Sequence, residues 1–321
     1  MSETLENSTK FFDNSDSDEE CESISRIVPL TVEATNCYLK NHTYTEYINV
    51  GKVRALLKSK DICDVWKDYN GFNHDDNKTL EKILNNTDDT GDIPQLNVTY
   101  RSTTKWGRVY PKGLVSLGSM ERGLRHYLAS EYYYDVDVVN CHLELLRCLC
   151  EEWNIPHKRL KKYCKNRKAI IELYNKKYGF TRDQTKTLFI SLINGGKTTP
   201  HFRHSNKEHI HALKFQLEMK KISKHIIKKI PKNLKKKLLA GGQTWNTNGR
   251  LMARYLQMYE QQILQLVFTN LKNDDKINEN NNCSLCHDGL LVPKASFNSK
   301  EECQEYLMEI INPIVKEETG F

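Results

Sequence analysis

Hydrophobic positions along the chain follow two periods. Tyr132-Tyr133-Tyr134-Asp135-Val136-Asp137-Val138-Val139-Asn140 is rich in aromatic and β-branched residues and predicts a strand. Its apolar residues fall on both faces, as in a buried strand. Before it, Glu121–Leu128 reads as a short helix carrying Arg122 and Arg125, and after it Leu143, Leu146, Leu149 and Cys150 recur at helical spacing. Thr181-Arg182-Asp183-Gln184 is a capping box whose helix runs to about Ile193 and stops at Gly195-Gly196. A long helix follows over Asn248–Asn270. Cys283 to Pro293 reads as a β-hairpin with His287-Asp288 at or near its turn. Ser299 with Glu302 caps a last amphipathic helix that covers the sheet. Residues 26–95 read as mostly helical, and Leu96–Arg101 as a short strand.

Charge changes this picture at the N-terminus. Residues 1–25 hold eight Asp/Glu against one Lys, so the expectation there is a disordered acidic tail. The remainder is basic: residues 158–186 contain eleven Lys/Arg and two acids, and residues 201–240 twelve against two. Such a body suits a polyanionic partner, with residues 201–240 as a basic helical arm along a phosphate backbone. At 321 residues the chain makes one large domain or two modest ones. Ten cysteines without a small-scaffold pattern, and no apolar run of membrane-spanning length, predict a soluble intracellular protein with reduced thiols.

Candidate chemistry begins with Asp135 and Asp137, which at period two point to one face. A buried carboxylate needs a hydrogen-bonded partner or a metal, and Asp137 is the candidate ligand. Arg182 and Lys186, at i and i+4, share a helix face continued by Ile190 and Asn194, a geometry that suits a triphosphate. Arg250, Arg254 and Gln257 lie on one side of the long helix. Arg108 follows a glycine that aims it outward. Cys283, Cys286 and Cys303 form a weaker zinc alternative. Gly195-Gly196-Lys197-Thr198 is not a P-loop, because Ser191 stands where the first glycine is needed.

In order, these segments resemble the palm and fingers of family A DNA polymerases and the related single-subunit phage-type RNA polymerases. Thr104-Lys105-Trp106-Gly107-Arg108 is similar to their Thr-x-Thr-Gly-Arg segment, with Trp106 in place of the second threonine. Asp137 matches the motif A aspartate, Arg182-x-x-x-Lys186 through Gly195 the motif B spacing, and His287-Asp288 motif C. The transposon–virophage polymerase group is the most similar, its Asp-x-x-Asn-x-His resembling Asp137-Val138-Val139-Asn140-Cys141-His142.

The resemblance implies an α+β fold. Its parts are a right-hand palm with a small antiparallel sheet, fingers at about 155–245 within a 96–321 catalytic region, and a helical, thumb-like 26–95. It implies a DNA polymerase, with a primase or a non-catalytic nucleic-acid-binding subunit as alternatives. Two Mg²⁺ ions, replaceable by Mn²⁺, would be held by Asp137, Val138 and Asp288. Arg182, Lys186, Ile190, Asn194 and His142 would contact a deoxynucleoside triphosphate, with Lys186 protonating the leaving group and His142 gating the sugar. Arg108, Arg250, Arg254, Gln257 and His287 would follow the DNA primer-template. A replicative helicase is an implied partner, no membrane is, and the chain reads as a stand-alone module or a fragment.

Overall fold

The computed structural model describes residues 8–10, 27–30, 39–58, 74–102, 108–202, 209–240 and 244–321. They form an α+β protein whose chain divides into two compact units, one comprising Met1–Glu20, Asn36–Val139 and Gln261–Lys316, the other Cys21–Thr35, Asn140–Glu260 and Glu317–Phe321.

In chain order the first unit holds β1 (Ser8–Lys10), β2 (Thr43–Tyr47), α1 (Val50–Lys58), α2 (His74–Asn86), β3 (Thr87–Asp88), β4 (Gln95–Ser102), β5 (Val109–Pro111), α3 (Arg122–Ala129) and β6 (Tyr133–Asp137). The second holds α4 (Cys141–Glu152), α5 (Lys158–Lys165), α6 (Arg167–Tyr178), α7 (Arg182–Ile193), α8 (Ile210–Lys229) and α9 (Lys232–Leu239). The long α10 (Thr247–Asn273) begins in the second unit and ends in the first. There follow β7 (Ser284–Cys286), β8 (Gly289–Pro293), α11 (Lys300–Tyr306) and α12 (Asn312–Thr319).

The expected central strand is β6, and it pairs antiparallel with β8, which pairs in turn with β7. Every residue of β7 and β8 is buried, as sheet strands covered on both faces require. Ser8–Lys10 lies parallel to β6 on its other edge, so the expected acidic tail contributes a strand; the rest of residues 1–25 falls outside the described residues. A second sheet has the order β2-β4-β3, with β5 also on β4.

Residues 26–95, read as mostly helical, hold α1 and α2 and, unexpectedly, the strand β2. Thr43–Tyr47 is a strand paired with β4, and it belongs to the same compact unit as β6 and β8. Tyr44, Thr45 and Glu46 are all buried, and the charge of Glu46 hides the strand from a hydrophobicity pattern. Glu46 is wholly buried with no cation beside it in its hydrogen-bond set. Its carboxylate accepts from Tyr100 Oη (2.7 Å), Ser116 Oγ (2.7 Å) and the Leu117 amide (2.7 Å). Tyr100 Oη in turn accepts from the Leu285 amide (3.1 Å). Burial raises the Glu46 carboxyl, and the three donors oppose that rise. One side chain thus ties β2, β4, the turn at 116–118 and β7 together.

The second unit is helical, with an aromatic core in which Phe189 of α7 meets Tyr163 (4.1 Å between centroids) and, edge-on, Phe215 of α8 (4.9 Å). The capping box forms as expected: Thr181 Oγ1 accepts from the Gln184 amide (3.1 Å), and Gln184 Oε1 accepts from the Thr181 amide (2.9 Å). Gly195, at φ +78°, ends the helix. Lys197 and Thr198 sit in the turn beyond it and open no helix, which confirms that this stretch is not a P-loop.

Replacing Glu46 with Ala removes the acceptor that three buried donors share, although Tyr100 Oη and Ser116 Oγ, 2.8 Å apart, can still pair with each other. We expect a loss of about 2–4 kcal/mol in urea unfolding, and a smaller loss for Glu46→Gln, which keeps an acceptor.

Candidate metal centre

The hairpin turn places Asp288. β7 and β8 are joined by two residues, His287 and Asp288, and His287 takes the positive φ (+40°) that the first position of such a turn demands. The register then pairs Asp137, the last residue of β6, with Gly289. A hydrogen bond from the Val138 amide to the Asp288 carbonyl (3.0 Å) closes the end of the ladder. A Cβ on Gly289 would lie 2.1 Å from the Val136 carbonyl oxygen, so only glycine allows the two strands to approach this closely.

The carboxyl groups of Asp137 and Asp288 therefore meet, close enough to share a hydrogen bond. They line a cavity of about 110 Å³ with Arg122, Arg125, Asp135 and His287. Burial, followed by the charges of Asp288 and Asp135, pushes the Asp137 carboxyl up to about 8. Asp135, two residues earlier on the same face, meets the opposite environment. Burial would raise it, but His126 Nε2 (2.8 Å), Arg122 Nε (3.4 Å) and Arg125 Nη2 (3.5 Å) surround Oδ2 and hold it below the usual range. Two carboxylates at period two thus take different charge states: Asp135 is neutralised by protein cations, while Asp137 faces another acid.

Two adjacent acids are the donor set of a hard divalent ion. Among the described residues no three His, Cys, Asp or Glu side chains gather as a metal cage. Mg²⁺ does not require one, since it binds through one or two carboxylates with waters and substrate phosphates. The zinc alternative is not assembled. Burial pushes the thiols of Cys286 and Cys303 up to about 12.

The remaining candidates fare differently. On α7, Arg182 and Ile190 are exposed and Lys186 half-buried while Leu188 and Leu192 are buried, so the expected face exists. Lys186 Nζ reaches Asp183 (3.4 Å), and burial, then Arg182, lowers its pKa. Asn194 caps α7 and its carbonyl accepts from Asn246 (3.0 Å). His142 is held by Glu260 (Nε2 to Oε2, 2.6 Å), which is buried. Arg250 and Arg254, expected to follow the DNA, also have partners within the protein. They reach the carbonyls of Leu239 (3.5 Å) and Leu238 at the C-terminus of α9, where cations and donors satisfy orphan carbonyls. Gln257 is half-buried on the same helix. Arg108 is half-buried just before β5, and His287 packs edge-on against Tyr110 (5.4 Å). Thr103–Gly107, the rest of the arginine segment, lies outside the described residues.

Reading the sequence had not assigned Arg122, Arg125 and His126 to the centre. Their signal is present: cations at i, i+3 and i+4 on the helix preceding the strand with Asp135.

The chain is 28% identical over 246 residues, 73% of its length, to a protein named "Putative helicase V13" of Sputnik virophage. It spans about 30% of the length of that curated relative. No family model matches, and no solved structure matches. This relative overturns the assignment of a DNA polymerase, with primase as its alternative, because its name is that of a helicase and no comparison points to a polymerase. Among the described residues no helix is long and apolar enough to cross a membrane.

The charge states at the centre yield a stability prediction for the metal-free protein. Asp137 keeps its proton when folded up to about pH 8, whereas in the unfolded chain it loses it near pH 4. Stability from this group is complete below about pH 4 and falls progressively as pH rises towards 8. Asp137→Asn removes that loss. In chelator, we expect the variant to unfold at higher urea than the parent at pH 8 and the gap to close towards pH 4.

Proposed function

We propose that this chain is a divalent-metal-dependent phosphoryl-transfer enzyme acting on nucleic acid, with Asp137 and Asp288 as the metal-holding carboxylates. One observation carries the reading: Asp137 and Asp288, brought together by the β6–β8 register, line one cavity, where a divalent cation would relieve the repulsion that helps raise the Asp137 carboxyl. Mg²⁺, or Mn²⁺ in its place, fits this donor set, with the peptide carbonyl of Val138 as a further oxygen. When bound, the ions supply charge stabilisation at the attacking and leaving phosphate oxygens. The chain's own part is to hold Asp137 and Asp288 rigidly, through the hairpin turn and Gly289, and to keep Asp135 neutralised so that it does not compete for cations.

Nucleic acid as partner is supported by the net charge of +7 and by the basic helices α5–α9. The helicase name of the virophage relative adds the same context. That name belongs to a protein of which this chain covers about 30%, and the glycine–lysine turn after α7 lacks the geometry of an NTPase loop, so we do not extend strand separation to this chain. As part of the proposal, Arg182 and Lys186 grip the phosphates of a nucleotide. The β6–β8–β7 sheet is taken as a palm-type scaffold of the superfamily that the motifs resemble; the scaffold carries the metal site and no particular polymerase activity.

The test is a metal-dependence assay on labelled DNA and RNA with nucleoside triphosphates, following any change in strand length or nucleotide phosphates. We expect turnover with Mg²⁺ that stops in chelator and falls at least about 100-fold in Asp288→Asn. Turnover unchanged in Asp288→Asn and in Asp137→Asn would rule out the carboxylate centre.

A further inference from the structure

Trp245, in the turn before α10, is 66% exposed, more than any other large apolar side chain among the described residues. No other ring and no cation among those residues stacks on its indole. Tryptophan has the largest aromatic surface to gain from burial, so an indole left in water offers a face that a ligand can cover.

The turn that carries it is braced. Thr247 Oγ1 donates to the Thr244 carbonyl (2.9 Å), closing the chain around Trp245. Asn246, at φ +48°, donates through Nδ2 to the Asn194 carbonyl at the end of α7 (3.0 Å). A Cβ on Gly249 would lie 2.0 Å from that same oxygen, so the first turn of α10 rests directly on the end of α7. A ring held on a fixed turn avoids part of the ordering cost of binding.

The surroundings select the ligand. Thr244, Asn246, Thr247 and Asn248 are all exposed and polar, so no neighbour in the sequence extends the indole into an apolar patch of the kind a protein partner covers. Gly195, which meets Asn246 across the contact, is followed by the exposed Lys197. Arg182 and Lys186 lie earlier on α7, and Lys186 is about 12 Å before Asn194 at the helical rise. A lone aromatic plane among hydroxyls and amides, in a cationic unit, fits an unpaired nucleobase. A base inside a duplex has both faces already stacked and offers none.

We propose that Trp245 is a stacking platform for an unpaired base of a single-stranded nucleic acid. The proposal rests on the nucleic-acid part of the proposed function and narrows that partner to a single strand; it does not involve the carboxylate centre.

The test uses the full chain in chelator. A short oligothymidylate and a base-free deoxyribose-phosphate strand of the same length are titrated, following tryptophan emission and strand anisotropy. Oligothymidylate is expected to quench the emission, and Trp245→Ala to lose that share of the quenching and at least about fivefold in affinity. Trp245→Phe is expected to keep most of the affinity and Trp245→Leu to lose it. The base-free strand is expected to bind the parent and Trp245→Ala alike, and the salt dependence of oligothymidylate binding to keep its slope in Trp245→Ala, since no phosphate contact is removed. Trp245→Leu binding oligothymidylate as tightly as the parent overturns the proposal, as does an equal loss for both strands in Trp245→Ala. Unchanged binding in Trp245→Ala also overturns it and leaves the indole as a surface for a protein partner. If that result comes with loss of turnover in Asp288→Asn, the stack falls and the catalytic reading stands; stacking with turnover unchanged in Asp288→Asn supports the stack and removes the catalytic reading.

Discussion

The pairing of Asp137 with Gly289 is the constraint on which the carboxylate centre depends. Backbone hydrogen bonding fixes the register, and the two-residue turn at His287-Asp288 leaves no slack before the partner strand begins. Because side chains alternate along a strand, a slip of one residue would turn Asp137 to the other face. The absent side chain at 289 lets the strands close, since any Cβ would strike the Val136 carbonyl. What results is energetically unfavourable in isolation: two acids forced together under burial. Such strain persists where a surrounding structure over-determines it and a ligand relieves it.

The surrounding structure is the buried hydrogen-bond set of Glu46. Through Tyr100 and Leu117 it fixes the turn that carries Gly118, whose backbone packs so tightly on β7 that a Cβ would lie 2.1 Å from the Leu285 carbonyl oxygen. Gly118 also lines the carboxylate cavity. A polar network from β2 thus reaches the catalytic candidate through packing against β7. Asp135 contributes by a different route, gathering Arg122, Arg125 and His126 around its Oδ2.

Local signals were legible in the sequence. The β-branched run gave β6, the Thr181/Gln184 pair gave the start of α7, and the polar pair between two apolar runs gave the hairpin turn, because each of these is decided within a few residues. The meeting of Asp137 and Asp288 was legible only through motif order. Distant pairings were not. Glu46 lies 54 residues from Tyr100 and 70 from Ser116, and nothing in its neighbourhood reveals those partners. That Arg250 and Arg254 reach the last carbonyls of α9 is another such pairing, since nothing beside them in the sequence names that helix end as their partner. The polymerase assignment overreached for a related reason. Spacing of motifs reports where a scaffold puts side chains, whereas the reaction is set by what the site holds, and a helicase-named relative now stands against that activity.

The most direct measurement is the anomalous scattering of Mn²⁺ soaked into crystals of the chain above pH 8, where the raised Asp137 carboxyl ionises. The account predicts a peak at about 2.1 Å from oxygens of both Asp137 and Asp288, absent in crystals of Asp137→Asn. A peak elsewhere, or none at saturating Mn²⁺, would contradict it.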